Sequence, residues 1–121
     1  MLIVQTPLRI SLFGGGTDFP HYYDKYGGCA LTTAIDKYIR VVIDPRIDGK
    51  TRISCTHIQK VNHVHNIKHN IIRETIKLSG MPMGTDILAV GDVPQGTGLG
   101  SSSTLAVGLL KAMRVYTNND A

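Results

Sequence analysis

The stretch Asp92–Thr104, DVPQGTGLGSSST, limits what this chain can fold into more than any other. Glycines at 96, 98 and 100 alternate with Thr97 and Leu99, and three serines follow at 101–103. Glycine loses more backbone entropy on folding than any other residue, so three in five positions mark a loop that turns tightly or lies close to something. The run before it, GTDILAV at 84–90, reads as a buried strand. After it, Leu105, Leu109, Ala112, Met113 and Tyr116 repeat at helical spacing, which predicts a helix from Ser101 to about Tyr116. Strand, glycine loop and serine-led helix make an anion cradle. Loop N–H groups converge, and the helix start adds unpaired donors and the positive end of its dipole. The serine hydroxyls could cap the helix, touch phosphate or reach a metal ion. The same residues also allow a flexible loop followed by a serine-capped helix.

Two better-known phosphate motifs are excluded. A Walker A loop needs Gly-Lys-Ser/Thr, and no lysine lies between Gly84 and Leu110. The dinucleotide fingerprint needs Gly-x-Gly-x-x-Gly inside a parallel βαβ unit, whereas the spacing here is Gly-x-Gly-x-Gly. The formal charge of +4 mildly favours an anionic ligand, but no Lys/Arg cluster and few aromatics are present, so nucleic acid is not indicated.

Elsewhere the pattern is β-rich. Leu2–Thr6 and Leu8–Phe13 read as two short strands around Pro7, followed by the break GGGTDFP and a helical turn in HYYDKYGG. CALTTAID and YIRVVIDPR read as two strands meeting at Asp36–Lys37, and TRISCTHIQKV continues as one strand after the turn DPRIDGK. Ile67–Ser79 reads as a helix with Ile67, Ile71, Ile72 and Ile76 on one face, stopped by Gly80 and Pro82. The order is α+β without repeating βαβ units, and residues 1–121 form one domain. Cys29 and Cys55 sit in apolar runs without metal-ligand spacing and are expected as buried, reduced thiols, which suits the cytoplasm. The N-terminal run is broken by Gln5, Pro7 and Arg9, so neither a signal peptide nor a membrane span is expected. His63, His65 and His69 could be taken for a metal site, but no carboxylate or cysteine completes the set, and a solvated polar face is the expectation. His69 and Arg73 share a helix face, where a substrate contact is conceivable.

The full string PQGTGLGSSS at 94–103 closely resembles the Pro-x-Gly-x-Gly-Leu-Gly-Ser-Ser signature of the GHMP kinases, the family of galactokinase, homoserine kinase, mevalonate kinase and phosphomevalonate kinase. Ser103 stands where many members have alanine. TPLRISLFGGGTD at 6–18 is similar to the family's first motif, with GGTD replacing the Glu-His-Thr-Asp of galactokinases. The Gly-Gly-Gly-Thr-Asp version resembles the branch of D-glycero-D-manno-heptose 7-phosphate kinases and bacterial L-fucose kinases, as do YGG at 26–28 and IKHNIIRETIKLSG at 67–80.

The resemblance implies a GHMP kinase N-terminal domain, ribosomal protein S5 domain 2-like and incomplete. It implies ATP bound by Pro94, Gly96, Thr97, Gly98, Leu99, Gly100, Ser101, Ser102 and Ser103, with Ser102 as the serine that meets Mg2+. It implies a catalytic guanidinium at Arg9, and sugar binding at Thr17 and Asp18. On local chemistry alone Arg9 is an ordinary surface or ion-pair arginine, and Asp18 is either an acceptor for vicinal hydroxyls or a cap after a glycine turn. The implied reaction is ATP-dependent phosphorylation of the anomeric hydroxyl of D-glycero-D-manno-heptose 7-phosphate. L-fucose kinase or another sugar-1-kinase is the alternative within the class, and a non-catalytic sugar/ATP-binding module is the alternative outside it. The partner is a sugar or sugar phosphate, with no nucleic acid and no membrane. The resemblance covers nearly all of the chain and only the front part of the family, leaving the catalytic aspartate, another magnesium-binding acid and the C-terminal domain outside. The 121 residues alone are therefore expected to be inactive. Any base within them would have to be Asp18, Asp86 or Asp92. The apolar stripe of the last helix is expected to lack part of its cover, which would favour a homo-oligomer or a marginally stable monomer.

Overall fold

The structure, a computed structural model, describes residues 1–117. Five strands form one mixed sheet in the order β1-β2-β5-β3-β4: β1 Leu2–Phe13, β2 Leu31–Pro45, β3 Thr51–Ser54, β4 Ile58–Val61 and β5 Thr85–Gly91. Helix α1, Pro20–Tyr26, joins β1 to β2. Helix α2, Asn70–Ser79, precedes β5, and α3, Ser101–Tyr116, follows the glycine loop. β1/β2, β2/β5 and β3/β4 are antiparallel and β3/β5 is parallel, so the α+β expectation holds.

The alternation along β2 decides which face is covered. Ile39, Val41 and Ile43 are buried, as are Leu8 of β1, Ile53 of β3 and Ile87 of β5. Helix α3 lies across β1 and β2, and α2 packs beside it. Leu105, Leu109, Ala112 and Met113 are all buried in this layer, with Ile72 and Ile76 from α2. Tyr116 packs against the same core. The stripe expected to lack cover is thus filled by the domain's own strands and α2, and the reason it gave for self-association is removed. Gly108 permits that contact, because a Cβ there would sit 2.8 Å from Thr6 Oγ1.

Two strand breaks read from the sequence are one irregularity. Pro7 pairs with Tyr38 and Arg9 with Ala34, so the ladder shifts register just after Pro7, where Leu8 alone stands opposite Ile35–Lys37. Proline is tolerated because β1 is an edge strand, and the extra residues of β2 bulge opposite it. TRISCTHIQKV, expected as one strand, folds back at Cys55–His57 into the β3/β4 hairpin. The helix expected from Ile67 begins at Asn70, and Ile67 is buried just ahead of it. Neither cysteine is in a disulfide. Cys29 is exposed, contrary to expectation, because it lies in the segment after Gly27–Gly28, ahead of the first residue of β2 rather than within the strand. Among the described residues no helix is long and apolar enough to cross a membrane.

The far end of the sheet is tied by charge. Asp86 of β5 accepts hydrogen bonds from Arg52, its partner on β3, and from Arg46, which also chelates Asp48 in the β2–β3 turn. Hydrogen bonding from Arg52 holds the Asp86 carboxyl below its ordinary 3.8, and Arg46 does the same to Asp48. The folded chain therefore binds fewer protons here than the unfolded chain. The stabilisation is complete above about pH 4 and is lost as pH falls through the folded values. Urea midpoints should be lower at about pH 3 than at pH 7, and Asp86→Asn should flatten that acid limb while lowering stability at neutral pH.

Candidate active site

The glycine loop, residues 92–100, is fastened at both ends. Where it leaves β5, the Asp92 N–H donates to the Tyr38 carbonyl, and the Asp92 carboxylate accepts from the Tyr38 N–H and from Arg40. Hydrogen bonding from Arg40 holds the Asp92 carboxyl below its usual range. Where it enters α3, the Arg9 N–H donates to the Leu99 carbonyl at 3.1 Å, and Arg9 Nη1 donates to the Gly98 carbonyl at 3.1 Å. Gln95 Nε2 reaches Thr56 Oγ1 at 3.2 Å, tying the middle of the loop to the β3/β4 turn.

Gly96, Gly98 and Gly100 have φ of 81°, 74° and 77°, the left-handed region that other L-residues adopt at a cost of roughly 1–2 kcal/mol. At Gly96 and Gly98 nothing stands within 4 Å of a would-be Cβ, so conformation alone requires glycine there. At Gly100 the Arg9 guanidinium also lies 3.2 Å from it. Gly100 itself occupies the N-cap of α3, and no side chain caps the helix. The serine-capped helix is therefore not what forms. Ser101, Ser102 and Ser103 fill the first turn, and among the described residues their hydroxyls make no hydrogen bond. The helix thus opens with N–H and O–H donors that the fold does not use.

These donors face a cavity of about 560 Å³ whose lining includes Gly96, Ser101, Ser102, Gln95, Ile71 and His69. Val93, Ala89 and Leu105 give it apolar walls. His69 Nδ1 is buried without a hydrogen-bond partner. His69 therefore leaves the polar face assigned to it from sequence, while His63 and His65 are exposed. Arg73, its helix-face neighbour, is occupied by the Ile67 carbonyl, Asn70 and Glu74. Nothing in the sequence distinguished His69 from Arg73; in the structure His69 lines the cavity, while Arg73 is turned to Ile67, Asn70 and Glu74.

The second cluster lies where β1 ends. Residues 15–17 form a single 3-10 turn, and Thr17 Oγ1 bonds the Gly14 carbonyl at 2.7 Å and meets both the N–H and carbonyl of Cys29. Gly14 is required by the fold itself: a Cβ would fall 1.9 Å from the Cys29 carbonyl oxygen. The Thr17 hydroxyl is thus spent on closing the loop. The Asp18 carboxylate, by contrast, is exposed and has no hydrogen bond or ion pair among the described residues. It lines a separate cleft of about 420 Å³ with Thr17, Tyr23, Gly28, Cys29 and Ala30. Of the three carboxylates considered as bases, Asp86 and Asp92 are committed to arginines and Asp18 alone is free.

Thr17→Val should cost about 1–3 kcal/mol, because it leaves the Cys29 N–H without its acceptor and the Gly14 carbonyl with the Thr17 N–H as its remaining donor. Urea denaturation measures the loss. An unchanged midpoint would show that the loop does not depend on this hydroxyl.

Comparison with known proteins places this geometry. Residues 62–121 match the family model described as GHMP kinases N terminal domain. The chain is 36% identical to the D-glycero-alpha-D-manno-heptose 7-phosphate kinase of Campylobacter jejuni, over 94% of this chain and 37% of that protein. It is 31% identical to the galactokinase of a Roseiflexus species, over 94% of this chain and 31% of that protein. A solved D-glycero-D-manno-heptose 1-phosphate kinase from Bacteroides thetaiotaomicron superposes with a TM-score of 0.84 at 28% identity, covering 97% of this chain and 42% of that one. The chain thus spans about a third of the length of the curated relatives it matches.

Proposed function

This chain belongs to the GHMP kinase family, and on that premise we propose that it forms the ATP- and sugar-binding part of an ATP-dependent sugar kinase. One observation carries the reading: Gly100 takes the N-cap of α3, so the first-turn amides and hydroxyls of Ser101–Ser103 are left uncommitted, and Ser101 and Ser102 line a cavity. Nucleotide phosphates suit that arrangement, since they accept many N–H bonds and are favoured by the helix dipole. Gly96, Thr97, Gly98, Leu99 and Gly100 wrap the phosphates, with Pro94 setting the entry of the loop. The base then lies in the half-apolar cavity beyond, where His69 Nδ1 offers an unsatisfied polar atom.

The metal fits in part. Ser102 has a free hydroxyl in the cavity and would supply one oxygen to Mg2+, which takes most of its other ligands from phosphate and water. When bound, the ion offsets the charge spread over the transferring phosphoryl group. Arg9 serves first as a positioning residue, holding Gly98 and Leu99. Its other guanidinium N–H groups remain for a phosphoryl oxygen or the acceptor hydroxyl. Asp18 accepts sugar hydroxyls, and Thr17 holds Asp18 in place.

Within this class the acceptor we favour is D-glycero-D-manno-heptose 7-phosphate, phosphorylated at its anomeric hydroxyl. The GGGTD sequence and the similarity to heptose phosphate kinases support it. With Asp86 and Asp92 tied to arginines and Asp18 given to the sugar hydroxyls, none of the three candidate bases is left for proton transfer, and the described residues by themselves bind rather than transfer.

Gly98→Val should lower ATP affinity at least about tenfold by forcing a β-branched residue into the left-handed region. Lys111→Ala, roughly 15 Å along α3, should leave it within about twofold. Calorimetric titration of both variants decides the matter, and undiminished ATP binding by Gly98→Val would remove the loop from the site.

Asp18→Asn should weaken sugar binding about tenfold to a hundredfold, the worth of a charged hydrogen bond, with ATP affinity unchanged. In a binding panel of heptose 7-phosphate, L-fucose and D-galactose, the heptose should rank first. A preference for galactose would move the protein to another branch of the family.

A further inference from the structure

We infer that Tyr23 covers the C–H face of the sugar ring in the Asp18 cleft, and that this cleft reads the neutral, hydroxylated part of the substrate rather than a phosphate. The inference rests on the reading of Asp18 as the sugar-binding carboxylate. Five aromatic rings cluster on and beside α1, and four have partners within it. Tyr22 and Tyr26 pack together at 5.2 Å, Lys25 lies over Tyr26, and Phe19 meets His21 at 5.8 Å. Tyr23 is the exception. Among the described residues its ring makes no aromatic or cation contact and its phenol makes no hydrogen bond, although 44% of the residue is exposed. It is also the one of the five that lines the cleft with Asp18.

Its position is built rather than incidental. The Tyr23 N–H bonds the Phe19 carbonyl at 3.0 Å, and its own carbonyl accepts from the Gly27 N–H at 2.9 Å. Gly28 then passes so close that a Cβ would lie 3.2 Å from Tyr23 Cβ and 3.0 Å from the Thr17 carbonyl oxygen. This approach sets Tyr23 against the turn that carries Asp18. A free carboxylate beside a free aromatic face matches a pyranose, which offers hydroxyls at its rim and C–H groups on its face. No lysine, arginine or histidine lines the cleft, so a phosphate group gains nothing there and would lie outside it.

Saturation-transfer NMR on the chain tests this, with heptose 7-phosphate, L-fucose and D-galactose as probes. Irradiating the aromatic ring protons should pass magnetisation to the C–H protons of a bound sugar. Transfer should vanish when the tyrosines are ring-deuterated, and return in Tyr23→Phe made in that deuterated background. Tyr23→Leu should weaken sugar binding about five- to tenfold, and leave ATP binding unchanged. Inorganic phosphate should not compete with the sugar. Transfer that persists in the deuterated wild type, or fails to return in Tyr23→Phe, overturns the inference. If Asp18→Asn weakens binding while Tyr23→Leu does not, the stacking role fails and the sugar site stands. If none of the three sugars binds the wild type, both fall.

Discussion

Arg9 pressing on the glycine loop is the contact from which the rest of the site follows. Its backbone N–H and its guanidinium take the Leu99 and Gly98 carbonyls, so two acceptors of the loop are committed to β1. With those carbonyls withdrawn and Gly100 left-handed at the cap, the cradle presents donors. Crowding enforces the arrangement, because the guanidinium occupies the space that any side chain at residue 100 would need.

The same strand joins the two clusters. From Arg9, β1 runs four residues to Phe13, roughly 13 Å, and then enters the turn that carries Asp18. Thr17 and Gly14 clamp that turn to Cys29 at the head of β2, the strand whose Tyr38 and Arg40 hold Asp92 at the start of the glycine loop. Loop and carboxylate are therefore mounted on one rigid pair of strands. A displacement of either cluster must pass through β1 and β2.

Much of this was legible in the chain. Helix α3 spans Ser101–Tyr116 as its spacing predicts, because the apolar positions, the glycines before it and the absence of proline all agree. The breaks at Pro7 and Asp36–Lys37 misled for a physical reason. Each is a sound local signal, but both fall at the same register shift and are absorbed together as one bulge. The β3/β4 turn was hidden because Cys55, Thr56 and His57 include neither glycine nor proline. In the candidate site, motif and spacing single out Asp18 and the serines as candidates, and the structure leaves their polar groups uncommitted among the described residues. The cavity position of His69 and the cleft position of Tyr23 were not legible, since both depend on what packs beside them, and Thr17 acquires its clamping role only when Cys29 arrives from beyond α1.

The account's central claim is that the glycine loop and the first turn of α3 hold nucleotide phosphate through backbone donors. Titration of the 15N-labelled chain with ATP, followed through its amide resonances, tests it most directly. The account predicts that the largest perturbations fall at Gly96–Ser103, with a weaker set around His69, and that adenosine perturbs the second set alone. Perturbations spread over surface lysines, with the amides of Gly98, Gly100 and Ser101–Ser103 unmoved at saturating ATP, would contradict it.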